Sequence, residues 1–295
     1  MYGGVNSDYF APSPSAPRPP APPGWRPPAF ARARGMPVLV SVAVSVVLGL
    51  LRLHAMASSG PSYLADRMHG LLPPAGVGES AAPLATPPVT LPMPAGTAYT
   101  FIHTQDASNV PVTWSPCRAI HYVTRPDNEP PGGAQLVREA FAELTAATGL
   151  RFVDDGRTTE PVSTSREPYQ PARYGKRWAP VLVSWTGAGE NADFASDVVG
   201  EAGPVAVRTP SGDTTYVSGV VMLDFAKMST IGARGRYDVT RGVVLHELGH
   251  LVGLGHVSDP VQIMYPQADA LATDYALGDR AGLALLGRGP CQPDI

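Results

Sequence analysis

Three of the chain's seven histidines stand at 246, 250 and 256, and a glutamate directly follows the first of them. Those residue types at that spacing can do metal chemistry. On an α-helix, residues four apart lie on one face about a turn from each other, so His246 and His250 can turn two imidazoles toward one ion. Glu247 sits beside the first ligand, where its carboxylate can reach a water at the ion without binding the ion itself. Gly253 falls where the helix must stop, and glycine tolerates the left-handed conformation that such a turn needs. The chain can then return and present His256 as a third ligand. Three imidazoles leave a tetrahedral ion one open position, which is the catalytic rather than the structural zinc arrangement. The expected ion is Zn2+, held by His246, His250 and His256, with Glu247 as general base.

The run from His246 to His256 has the form H-E-x-x-H-x-x-G-x-x-H, and Met264 follows it. It resembles the signature of the metzincin zinc peptidases. The continuation through Asp259-Pro260 to Met264-Tyr265-Pro266 is similar to the matrixin branch, the matrix metalloproteinase-type catalytic domain. The resemblance covers roughly residues 112–287. Trp114 to Tyr122 resembles the entry to the family's first strand, and Leu277 to Leu283 its last helix. The resemblance implies an α+β fold, a mixed-sheet zincin, as a single catalytic domain with an active-site helix, a Met-turn and a C-terminal helix. It makes Met264 the hydrophobic floor of the metal site and not a ligand. It also implies that substrate lies as an extended strand along a sheet edge, for which Gly203–Arg208 is the candidate, with 257–263 shaping the pocket after the cleaved bond.

The chain departs from the family in three places. No histidine lies between His121 and His246, so the family's second, structural zinc is not expected. No cysteine precedes the domain, so a cysteine latency switch of the P-R-C-G type is missing. Val257 stands where a serine usually follows the third histidine. Structural Ca2+ is a possible addition, because Asp, Glu and backbone carbonyls are plentiful in 187–224.

The motif needs elements to hold it. Ile120–Val123 reads as a strand. Leu136, Val137, Ala140, Phe141, Leu144 and Ala147 form a helical stripe over 133–148, closed by Gly149. Arg151–Val153, Val181–Trp185 and Tyr216–Leu223 read as further strands. The metal helix follows the last of these, with Asp238 or Thr240 as its N-cap.

Upstream of the domain, residues 1–35 are rich in proline and read as a disordered tail. Residues 37–51 are uncharged, and the apolar stretch 36–57 is long enough for a membrane span. Arg32 and Arg34 precede it, which by the positive-inside rule leaves the N-terminus in the cytoplasm and exports the rest. Ala55-Met56-Ala57 is also a cleavage-like site, so a single-pass anchor and secretion after a cut near Ala57 both stand. Residues 58–98 read as an Ala/Pro-rich linker, and 99–295 as the catalytic domain.

Cys117 and Cys291 are the only cysteines. In an exported protein an even pair reads as a disulfide. Two buried thiols are the other reading. The tail carries +3 (Arg18, Arg26, Arg32 and Arg34 against Asp8), so with −3 for the whole chain the remainder is −6. That acidity gives nucleic acid no basic patch to bind, and oligomeric state has no signal. The functional expectation is a zinc-dependent metalloendopeptidase acting on protein or peptide outside the cytoplasm. The alternatives are a non-catalytic zinc-containing cell-surface binding module, and an enzyme that processes its own 58–98 stalk.

Overall fold

The computed structural model describes residues 42–43, 72–89, 99–106, 108–163, 165–268 and 272–295. The proline-rich tail and most of 36–57 lie outside the described residues. By contacts the chain divides into Met1–Val40 and Ser41–Ile295, and every described residue belongs to the second unit. Among the described residues no helix is long and apolar enough to cross a membrane.

The centre of the domain is a six-stranded sheet. Its elements are β3 (Thr113–Trp114), β4 (Ile120–Arg125), β5 (Phe152–Arg157), β6 (Val181–Thr186), β7 (Gly200–Arg208) and β8 (Thr214–Asp224). The order is β3-β8-β6-β4-β5, all neighbours parallel, with β7 antiparallel on β8. β6 is buried along its whole length. A strand with parallel partners on both sides and cover on both faces has no solvent side, which is why its sequence is mainly apolar, with the hydroxyls of Ser184 and Thr186 buried against each other at 2.9 Å. β7 has β8 as its sole ladder partner among the described residues, so it forms an edge of the sheet.

Helix α1 (Gly133–Thr148) buries the predicted stripe and ends at Gly149, whose φ of 72° is left-handed. A short helix, α2 (Pro171–Tyr174), precedes β6. Two more, α3 (Phe225–Ala233) and α4 (Tyr237–Val252), follow β8, and α5 (Leu277–Leu286) comes last. α3 was not expected from sequence. Its N-cap is Asp224, whose carboxylate accepts from Ala226 N and Lys227 N, each at 2.9 Å. Neither predicted cap of α4 acts as one. The helix starts after Arg236, Asp238 sits inside the first turn paired with the Arg236 guanidinium, and the Thr240 hydroxyl turns back to Tyr237 O.

One cluster joins α1, α4 and α5 to the sheet through Leu136, Phe141, Leu144, Trp185, Val221, Leu223, Leu248, Leu251, Leu283 and Leu286. From Gly242 to Val252 every residue of α4 is buried. The metal motif is therefore carried on a helix inside the molecule, where each large apolar side chain contributes about 1.5–3 kcal/mol of stabilisation. Small strands complete the frame: β1 (Val42–Ala43) pairs with β10 (Gln267–Ala268), and β2 (Thr100–Phe101) pairs antiparallel with β9 (Leu254–Gly255).

The stretch 58–98 is not all free linker. Residues 72–89 form a strap over the base of the domain. Leu72 is buried with Trp178, Val207, Val217 and Ile295. Ser80 N and Leu84 N donate to Cys117 O and Pro116 O. Cys117 and Cys291 form a disulfide, with Cα atoms 5.2 Å apart. Closing so long a loop stabilises by roughly 5 kcal/mol at most in the chain-entropy model. Glu79 joins the two sides of that bridge: Oε1 accepts from Ser115 Oγ at 2.5 Å and Gln292 N at 2.6 Å, and Oε2 pairs with Arg118 at 3.1 Å. Breaking a buried charge network of this kind costs about 3–5 kcal/mol. Glu79→Ala is expected to lower unfolding stability by about that amount, read by urea denaturation. An unchanged midpoint would mean that the strap contributes nothing to the fold.

Candidate metal centre

α4 ends at Gly253, which sits at φ 119° and donates to Gly249 O and His250 O. A side chain there would be strained by the left-handed backbone and would also press on Tyr216 and Leu286. The chain turns, passes through β9 and delivers His256 to the two helical histidines. Their Nε2 atoms lie 3.0 Å (246–250), 3.3 Å (250–256) and 3.3 Å (246–256) apart.

The outer ring nitrogens decide what those inner nitrogens are. His246 Nδ1 donates to Ile263 O at 2.6 Å, and His250 Nδ1 donates to Leu254 O at 2.7 Å. A carbonyl only accepts, so the proton of each neutral ring is on Nδ1 and each Nε2 offers a lone pair inward. Burial and the neighbouring imidazoles hold the rings neutral: His246 is lowered to about 3 by burial and then by His256, and His250 falls well below its usual value for the same reasons. Lone pairs facing each other at 3 Å repel unless a cation stands between them. Zinc–nitrogen bonds of about 2.0–2.1 Å at tetrahedral angles separate ligands by about 3.3 Å, which the observed spacing fits.

Glu247 is fully buried, and neither carboxylate oxygen has a hydrogen-bond partner among the described residues. It fits because of Gly200 at the start of β7, where a Cβ would lie 2.5 Å from Glu247 Oε1. Burial first, and the charge of Glu201 second, push the Glu247 carboxyl well above the usual carboxylate range. Glu201 is itself buried and raised, and it accepts from Asn191 Nδ2 at 2.7 Å.

Met264 lies under the helix, 1 % exposed. Its sulfur occupies the space where a Cβ on Gly249 would go. The turn that carries it is held by Asp279 of α5, which accepts from Ile263 N at 2.8 Å, Met264 N at 3.3 Å and Ala276 N at 2.9 Å. Ile263 O in turn holds the His246 ring, so α5 reaches the metal site through one residue of the turn. Asp279→Asn puts a donor against these amide donors. It is expected to destabilise the fold by about 2–3 kcal/mol, seen as a lower melting temperature.

The three histidines come together as the spacing predicted, and Glu247 is buried against Gly200 at the start of β7, the edge strand. The calcium expectation in 187–224 finds no support: among the described residues no three acidic side chains there converge. Lys227 Nζ donates to Phe194 O at 2.7 Å and pairs with Asp224. Asp279, Gly200 and Glu201 were not singled out in the sequence, because each matters only through a neighbour distant in the chain.

Residues 174–282, which carry β6 to β8, the metal helix, the Met-turn and the start of α5, match the family model described as Matrixin. The chain carries a matrixin-like metzincin domain. Metzincins are zinc metallopeptidases, and the His246–His250–His256 cluster of this matrixin-like domain is a group that can hold the ion. Among solved structures, metalloproteinase-II from Bacteroides fragilis aligns at 10 % identity with a TM-score of 0.35, over 65 % of this chain and 58 % of that one. At that score the likeness has no weight in the assignment. No curated protein matches the sequence.

Proposed function

We propose that the chain is a zinc-dependent metalloendopeptidase that hydrolyses peptide bonds in protein substrates outside the cytoplasm. The observation that carries this is the triad of inward lone pairs, together with a buried carboxylate on the residue after His246 that has no hydrogen bond among the described residues. His246, His250 and His256 hold zinc, which when bound supplies Lewis acidity for water and for a substrate carbonyl. Glu247 takes the proton of the attacking water and delivers it to the leaving amine, so no covalent intermediate with the protein is needed. Gly200 leaves the carboxylate room, and the dry surroundings strengthen its basicity. The open edge of β7 takes an extended substrate segment by strand addition, with Gly203–Arg208 as its ladder. Met264 and Asp279 keep the site rigid.

The competing reading is a zinc-holding surface module without turnover. Glu247 argues against it. A buried, unpartnered carboxylate destabilises a fold, and a site that only binds has no use for one. Location outside the cytoplasm is supported by the disulfide, which persists in oxidising compartments. The 36–57 segment is then removed near Ala57 to leave a secreted enzyme, or acts as a single-pass anchor, for which Val42 and Ala43 must give up their pairing with β10.

The test is zinc content and casein cleavage by the full chain, with Glu247→Ala alongside. One zinc per chain and cleavage that disappears in the variant are expected. Folded protein that holds zinc and cleaves nothing favours the module, and folded protein that takes up no zinc overturns both readings.

A further inference from the structure

The three ligands are not held alike. His246 and His250 are on a buried helix, and each ring is fixed through Nδ1. His256 lies beyond the helix and is half-buried, and its Nδ1 has no hydrogen bond among the described residues. Its place must come from the backbone that carries it.

That backbone is gripped from outside. Carbonyls at the end of a helix have no partners within it. Here they are met by the segment that enters the domain: Leu251 O accepts from Trp114 Nε1 at 3.0 Å, and Gly253 O accepts from Ile102 N at 2.9 Å. His256 O accepts from Thr100 Oγ1 at 2.8 Å. The β2–β9 ladder sets the register, with Thr100 opposite Gly255. The other side of the same peptide unit is Val257 N, which donates to Met264 O at 3.1 Å. The His256–Val257 peptide is thus clamped between the Met-turn and Thr100. Gly255 permits this, since a Cβ there would lie 2.6 Å from Thr100 Oγ1.

We propose that Thr100 is a positioning residue for the third metal ligand: its hydroxyl fixes the His256 carbonyl, and so fixes where the unbraced His256 ring meets the other two. This rests on the zinc reading of the site. It gives the chain just upstream of β3 a part in metal affinity, although that segment supplies no ligand.

The experiment uses the full chain, with zinc affinity measured by chelator competition and melting temperature measured without metal. Thr100→Val removes the hydroxyl at nearly constant shape, and Thr100→Ser keeps it. Groups that orient metal ligands typically affect affinity 10–100-fold; Thr100 is exposed to water, so Thr100→Val is expected at the low end, about 10-fold weaker. Thr100→Ser should stay within about 2-fold of the unaltered chain, and the metal-free melting temperature should not move with either. Unaltered zinc affinity in Thr100→Val overturns the proposal. So does a loss in which metal-free stability falls in step and serine fails to restore affinity, since that is a structural strand and no more. If the unaltered chain binds no zinc, the functional reading fails first and this proposal falls with it.

Discussion

Glu247→Gln is expected to lower kcat/KM for peptide hydrolysis by about 100- to 10,000-fold, the usual contribution of a general base, with zinc still bound one per chain. Glutamine keeps the volume that Gly200 accommodates and removes only the ability to take a proton. The same variant should change stability in the opposite sense. In the metal-free protein the Glu247 carboxyl is raised above its ordinary 4.5 by burial and by Glu201. A carboxyl raised in the fold is harmless below 4.5 and increasingly destabilising as pH rises from there toward the folded value. Metal-free Glu247→Gln should therefore be more stable than the unaltered chain at pH 7 and indistinguishable from it near pH 4. Full activity in Glu247→Gln would remove Glu247 from the reaction. Equal stability at pH 7 would mean that the carboxylate is hydrated after all.

Withdrawing zinc is expected to have the next largest effect. His250→Ala should lose the metal and all turnover together. Chelation of the unaltered chain should lower its melting temperature, because a ligand present at 1,000 times its dissociation constant stabilises by about 4.1 kcal/mol. Acid should do the same by another route. The unfolded histidines titrate near 6.5, whereas the fold holds His246 at about 3 and His250 well below its ordinary value. Proton uptake therefore favours the unfolded chain, and this part of the stability is complete above pH 6.5 and lost as pH falls from there toward 3. Glu247 opposes this in the metal-free protein, so Glu247→Gln is the background in which to measure it by denaturation at pH 7.5, 6 and 5. A flat profile in that variant would show that the cluster takes up protons without unfolding.

The histidine cluster was legible because helix geometry dictates the spacing of its first two members. His246 and His250 are four apart, and Gly253 carries the positive φ that the end of the run requires. The burial stripes of α1 and β6 were legible for the same reason: period 3.6 and a short run rich in apolar and β-branched residues are local signals. The N-cap of α4 was misplaced. Asp238 has the right chemistry two residues past the cap position, and its side chain pairs with Arg236. The helix α3 is hard to read from sequence because it is only nine residues long, buries Met228 alone, and its cap, Asp224, closes a strand.

Local spacing carried the candidate chemistry: three imidazoles able to meet, a carboxylate beside the first of them, and the glycine where the helix must end, with the two cysteines left between a disulfide and two buried thiols. Only the tertiary structure decided how that chemistry is held. Asp279 reaches His246 through Ile263, Gly200 makes room for Glu247, Glu79 straps 72–89 across the disulfide, and Thr100 grips the His256 carbonyl. Each of these joins positions far apart in the chain. Spacing along a helix is set by local backbone geometry, whereas a contact between distant segments exists only once the core has brought them together.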